Sequence, residues 1–337
     1  MHRRSFLTSG AAIPLAAALP RTLFAQQTSF NPQPGGWRTY EITTRVEVLK
    51  PAGVNRVWLP VPSVEDGSQK PLDNSWAGNA KVMRVTADGK YGAGIFYAEW
   101  PEGEAKPAVE LTNRFMSRDR AADLSKPNPA LRFDASEVAF YTAPTELQPT
   151  DGIVKKTALE VTRGARSEMQ KAKALYEWIV ENTHRDPKTR GCGVGDIKAM
   201  LETGNLGGKC ADLNALYVGL ARSIGLPARD IYGLRVAKSQ FGYRSLGAGS
   251  ENVTRAQHCR AEVFLTGYGW VPVDPADVRK VVLEEKPQPT TLADPLVPPV
   301  RQKLFGSWEM NWLAFNTAHD VALPGSKGAK VAFFMYP

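Results

Sequence analysis

The sequence of 337 residues holds only three cysteines and four histidines, too few and too scattered for a disulfide scaffold or a structural metal module. No Cys-x-x-Cys or His-x-x-x-His spacing occurs, so no metal or other cofactor is expected. Lys and Arg are dispersed rather than gathered into runs, although the formal net charge is +8. Without a basic stripe there is no footprint for a nucleic-acid backbone, and nucleic acid is not an expected partner. Beyond residue 25 no apolar stretch approaches the roughly 20 residues that cross a bilayer as a helix, so the mature chain is expected to lack a transmembrane segment. Gly191-Cys192-Gly193-Val194-Gly195 has no strand leading into it and is not read as a phosphate loop.

What is present begins with Arg3-Arg4-Ser5-Phe6-Leu7 and an apolar run from Ala11 to Leu19. This resembles a twin-arginine signal peptide over residues 1–25, cut after Ala25, which would remove the positive charges of Arg3, Arg4 and Arg21. A periplasmic or secreted protein is the expectation.

From Trp37 to about Asp119 short β-rich runs alternate with turn residues. Tyr40 to Leu49, Val54 to Val61, Val82 to Thr86 and Ile95 to Trp100 are broken by Pro51-Ala52-Gly53, Glu65-Asp66-Gly67 and Ala87-Asp88-Gly89. Such spacing suggests a β-sandwich over 26–145 with a structural or substrate-orienting role. Pro- and Asn-rich passages near Lys126 and Pro144 mark its end, and a mixed α+β unit over 146–285 follows. Asp151 caps a first helix that stops at Gly164. Ser167 with Gln170 forms a capping box for a second, which runs to about Asn182. Asp196 opens a short helix ending at Gly204, and Ala228 to Ala237 reads as a strand. Residues 286–337 read as a Pro-rich extended connection from Lys286 to Val300, then closing strands at Trp308 to Asn316 and Val331 to Tyr336.

The chain is organised around Gly207-Gly208-Lys209-Cys210. Leu213, Leu216, Tyr217, Leu220 and Ile224 recur at helical spacing, and Gly225-Leu226-Pro227 supplies the stop, so Cys210 opens a helix. There the unsatisfied N–H groups and the macrodipole favour a thiolate, and the glycines are expected to let the backbone turn sharply. Taken alone, Cys210 could equally be a core cysteine on an amphipathic stripe. Further on, Cys259, Ala261, Val263 and Leu265 alternate with His258, Arg260 and Glu262. A hairpin about Tyr268 then brings His258 within diagonal reach of Asp274. A thiolate, a base and a carboxylate that fixes the imidazole are what cysteine catalysis requires. Asp277 competes with Asp274 for the third role, and Asp274 is preferred because it keeps the strand parity.

Three motifs in this order resemble the transglutaminase-like superfamily. They are Gly208-Lys209-Cys210-Ala211-Asp212 with its continuation through Ala221-Arg222 to Gly225-Leu226-Pro227-Ala228-Arg229, His258 followed by Ala261-Glu262-Val263, and Gly269-Trp270-Val271-Pro272-Val273-Asp274-Pro275. The resemblance covers about residues 150 to 280 and implies a papain-like core, often carrying an N-terminal β-sandwich. It also implies Cys210 as nucleophile, His258 as base and Asp274 as its orienting partner. Members include bacterial exported proteins described as cysteine proteases. Related proteins place an aromatic ring after the second helix as an oxyanion donor, which makes His184 the candidate here. Cys259-Arg260 stand where the family has Ala-Trp or a similar pair.

The expected function is acyl transfer from peptide amides through a thioester, ending in hydrolysis or transamidation, on a peptide or protein substrate such as a cell-envelope peptide. A binding module without turnover on the same fold is the alternative. An exported protein has Cys210 to keep free, and either a Cys192–Cys259 disulfide or two buried thiols fits the remaining pair.

Overall fold

Alternation of apolar and polar residues builds the N-terminal part from six strands: β1 (Arg38–Glu47), β2 (Asn55–Val61), β3 (Gln69–Gly78), β4 (Val82–Ala87), β5 (Gly94–Trp100) and β6 (Ala108–Ser117). The computed structural model describes residues 29–337, so the expected signal peptide lies outside the described residues. The strands form two antiparallel sheets, β1-β6-β3 and β2-β5-β4. Leu59, Phe96 and Trp100 of one sheet and Val109 and Leu111 of the other close over a shared core, the packing expected of a sandwich. Gln69–Gly78 was not legible as a strand, because Pro71, Asp73 and Asn74 interrupt its alternation. The ladder shifts register there, between Pro71 and Asn74.

A short strand β7 (Arg120–Ala121) and helix α1 (Ala135–Thr142) lead out of the sandwich. Asp134 caps α1 with a full capping box to Glu137, a signal inside a passage that its prolines and asparagines mark only as a boundary. Then come α2 (Gly152–Val161), α3 (Glu168–Asn182), β8 (His184–Arg185), α4 (Ile197–Thr203), β9 (Gly207–Gly208), α5 (Cys210–Ser223) and β10 (Ala228–Arg235). Asp151, Ser167 and Asp196 stand at the N-caps of α2, α3 and α4, and Gly204 closes α4 in the left-handed region. The chain continues with β11 (Gln257–Leu265), β12 (Gly269–Val273), α6 (Pro275–Glu284), α7 (Val297–Lys303), β13 (Ser307–Trp308), β14 (Trp312–Asn316), β15 (His319–Val321) and β16 (Val331–Phe333).

Helix α5 is the axis of the molecule. All fourteen of its residues are buried, polar Asn214 and Ser223 included. The apolar stripe in the sequence accounts for one face only. The sheet β12-β11-β10-β14 covers that helix from one direction, and α2, α3, α4 and α6 enclose it from others. A helix enclosed all round is immobilised by packing, and its first residue is held as firmly as its middle.

The stretch expected to run extended from Lys286 to Val300 instead ends in α7, whose Pro298 and Pro299 fall in the first turn. Proline is tolerated there because the first N–H groups of a helix have no intrahelical acceptor.

Candidate active site

Cys210 is the first residue of α5 and is 3% exposed. Its position is fixed by Asp212, whose buried carboxylate accepts from the N–H groups of Lys209, Val194 and Gly195 at 2.9 Å each. The Gly-Gly pair ahead of it is not in the left-handed region. It forms β9, a two-residue parallel ladder with β8. A Cβ on Gly208 would lie 2.6 Å from the Asp212 Cβ, and one on Gly207 2.4 Å from the His184 ring. The two glycines make room for neighbours, and the expectation of a sharp turn is corrected accordingly.

β11 and β12 pair with Ala261 opposite Val273, which sets His258 diagonally across from Asp274. The His258 Nε2 to Asp274 Oδ2 distance is 2.7 Å, and Asp277 Oδ2 stands 3.4 Å from the same nitrogen. Asp274 is also the N-cap of α6, accepting from the Asp277 N–H at 3.1 Å, with Pro275 at the first helical position. Asp-Pro followed by an acid in the first turn is a helix-start signature, and it was the available signal that both carboxylates cluster.

Several residues of the site were not found in the sequence. Arg235 donates to Asp277 at 2.5 Å, Arg260 Nε lies 3.5 Å from Asp274, and Asn214 donates to Asp274 at 3.3 Å and to the Cys259 carbonyl at 2.8 Å. Trp312 holds the His258 carbonyl at 3.0 Å. Arg260 was detectable as the next residue on the His258 face of β11; Arg235, Asn214 and Trp312 arrive from other elements.

The protonation states follow from this arrangement. Burial and Arg235 pull the His258 imidazole down, yet Asp277 and Asp274 outweigh them and raise it to about 9. Against its own burial, Arg235 holds Asp277 well below the usual carboxylate range. The Cys210 thiol is held well below its ordinary value, first by a hydrogen bond from Cys192, then by Cys259 and by His258, which outweigh burial. His258 Nε2 is taken by Asp274, so Nδ1 is the ring atom left for the thiolate.

All three cysteines are free and buried, so the Cys192–Cys259 disulfide is corrected to the alternative of two buried thiols; sequence distance conceals that the three sulfurs lie within 4.8 Å of one another. The Cys192 N–H donates to the Tyr336 hydroxyl at 3.0 Å, and Cys259 lies on the face of β11 against which α5 packs. Among the described residues this trio and the group His258, Asp274 and Asp277 are where side chains converge closely enough to hold an ion. Arg235 and Arg260 already balance the second group.

His184 is exposed, its ring against Gly207, and it does not line the cavity into which Cys210 opens; Arg185 does. That cavity, about 590 Å³, is bounded by the start of α5, by His258 and by the Gly- and Ser-rich loop between β10 and β11. His319 is elsewhere, buried with Asp230 at 3.3 Å.

The sequence model of the family described as "Transglutaminase-like superfamily" matches residues 155–275, which contain Cys210, His258 and Asp274. A Haemophilus influenzae protein named "Uncharacterized protein" is 36% identical over 316 residues, spanning 88% of this chain and 84% of that one. The chain belongs to the transglutaminase-like superfamily. A crystal structure from Cytophaga hutchinsonii, of a protein provisionally named a cysteine protease, superposes with a TM-score of 0.53 at 16% identity, covering 89% of this chain and 96% of that one. At that identity the likeness speaks for the fold: a transglutaminase-like α+β core preceded by a sheet-rich unit.

Proposed function

We propose that the protein is a cysteine-dependent acyl-transfer enzyme acting on peptide amides, with hydrolysis as its simplest outcome. The observation that carries this reading is that Cys210, at a helix start, and His258, hydrogen-bonded to Asp274, line the same cavity. In this reading the Cys210 thiolate attacks the amide carbonyl carbon. The Cys210 N–H, first in its helix and without an intrahelical acceptor, faces the developing oxyanion. His258 gives its proton to the departing amine as the C–N bond breaks, and Asp274 holds the ring and stabilises its charged form. Water or an amine then resolves the thioester, His258 taking the proton of either. His184 is assigned no step.

A thiolate–imidazolium pair exists above the lowered Cys210 value and below about 9 for His258. Alkylation of Cys210 by iodoacetamide is therefore expected to be fast already well below the range of an ordinary thiol and to stay flat up to about pH 9. Amide turnover falls as pH rises through about 9, where His258 loses its proton. Cys192→Ala should move the alkylation profile upward, because the largest support of the thiolate is gone. An alkylation rate in the wild-type protein that climbs only near pH 8.5 defeats the proposal.

Export by the twin-arginine route completes the proposal, carried by Arg3-Arg4 and the apolar run from Ala11 to Leu19. Replacing both arginines by lysine is expected to retain the protein in the cytoplasmic fraction of cells; unchanged export removes the twin-arginine route.

A further inference from the structure

The cavity beside Cys210 is lined by Arg185, Lys209, Arg235, Arg255 and Lys280, and by no Asp or Glu. Two of these cations are neutralised from outside the lining: Arg235 by Asp277, and Arg185 by Glu284. Lys280 has only the distant end of the same Glu284, at 3.8 Å. Burial and Arg235 hold its ammonium down to about 8, although Asp277 and Glu284 oppose this. Neither Lys209 nor Arg255 is in an ion pair among the described residues. Lys209 and Arg255 thus face one partly enclosed space outside any ion pair among the described residues, and Lys280 joins them with only a distant, shared anion. The net charge of the chain does not require this, because acids elsewhere are plentiful and are paired with arginines in the sandwich and on α3.

A concave site lined by charge of one sign concentrates ligands of the other sign and disfavours those of its own. The positions are specific. Lys209 immediately precedes the nucleophile, Lys280 lies on α6 one turn beyond Asp277, and Arg255 sits on the loop just ahead of β11, so the positive field surrounds the point of attack from three elements. We propose that this cleft selects acyl donors that carry carboxylates close to the amide being attacked: its substrates are acidic peptides. This rests on the catalytic reading in taking the cavity beside Cys210 as the substrate cleft. Lys209, Arg255 and Lys280 are then specificity-determining residues. Neutral peptides react more slowly because they leave these charges unmatched, and basic peptides are repelled.

The test uses three peptide chloromethyl ketones of equal length that differ only in carrying Glu, Gln or Lys beside the reactive group. Each alkylates Cys210 with loss of chloride. The second-order rate is measured on the whole protein at about 0.05 M and 0.5 M salt, where screening lengths differ severalfold. The Glu probe is expected to react roughly tenfold faster than the Gln probe at low salt, the Lys probe slower still, and the spread to shrink at high salt. Arg255→Gln, at an exposed position, and Lys280→Gln should each cut the Glu advantage severalfold. Iodoacetamide, which is uncharged, is run alongside, together with fluorescence anisotropy of an acidic peptide that lacks the reactive group. Fast iodoacetamide alkylation with equal rates for all three peptides overturns the acidic preference and leaves the catalytic reading intact. Salt-sensitive binding of the acidic peptide with an ordinary, unreactive Cys210 supports the charge selection and overturns the catalytic reading. A Glu advantage that survives both substitutions and high salt overturns the assignment to these cations.

Discussion

Alanine at position 210 is expected to lower amide turnover by at least three orders of magnitude, roughly the loss that follows removal of one member of a nucleophile–base–carboxylate set. Stability should barely respond. The side chain is small, and its removal leaves a gap of one sulfur among Cys192, Cys259 and the helix start, worth about 1 kcal/mol and a few degrees in the unfolding midpoint. His258→Ala should fall as far in activity, because thiolate and imidazolium act as one unit. Steady-state turnover of an acidic peptide amide, read beside a thermal melt, separates the two quantities. Activity of the alanine variant near that of the wild type would point to a binding module on a transglutaminase-like fold.

The second large effect is expected in stability and concerns Asp277. Its carboxylate is the partner of Arg235, both are about 2% exposed, and Arg235 also donates to the Leu246 carbonyl. Asp277→Ala leaves a guanidinium buried without its counter-charge, which costs about 3–5 kcal/mol and lowers the melting midpoint by on the order of 10 °C. Asp274→Asn should behave differently. The amide oxygen can still cap α6 through the Asp277 N–H, so the fold is largely kept, while the loss of charge beside His258 lowers turnover by roughly two to four orders of magnitude. Melts and turnover for both variants distinguish the roles. If Asp277→Ala melts like the wild type and loses only activity, then Asp277 orients the imidazole and Asp274 serves as the helix cap.

Local signals carried much of this architecture. Ser167 and Asp196 mark helix starts because a side-chain oxygen ahead of an apolar stripe meets N–H groups that have no other acceptor, and Asp151 stands at the N-cap of α2 without such a bond. The period-two alternation on either side of Tyr268 determined the β11–β12 hairpin, and with it the reach from His258 to Asp274, since strand parity and a short turn leave one register in which the apolar face is buried. Cys210 at a helix start was legible for the same reason: the stripe behind it and the Gly225 stop are both local.

Residues that meet through space were not legible. Cys192 and Cys259 are separated in the chain from Cys210 and from each other, yet all three sulfurs converge because α5 packs across β11 and the loop before α4 folds back on Asp212. Arg235, Asn214 and Trp312 reach the His258–Asp274 pair from three further elements. The full burial of α5 is likewise a product of packing, since a stripe predicts one covered face and only the surrounding helices and sheet cover the others. By itself, then, the sequence determined which residue types could form a nucleophile, a base and an orienting carboxylate, and the elements that carry them, because capping and periodicity act over a few residues. The tertiary structure alone decided which charges surround them, because the Lys209, Arg255 and Lys280 field and the Arg235–Asp277 pair arise from segments brought together by burial of the shared core.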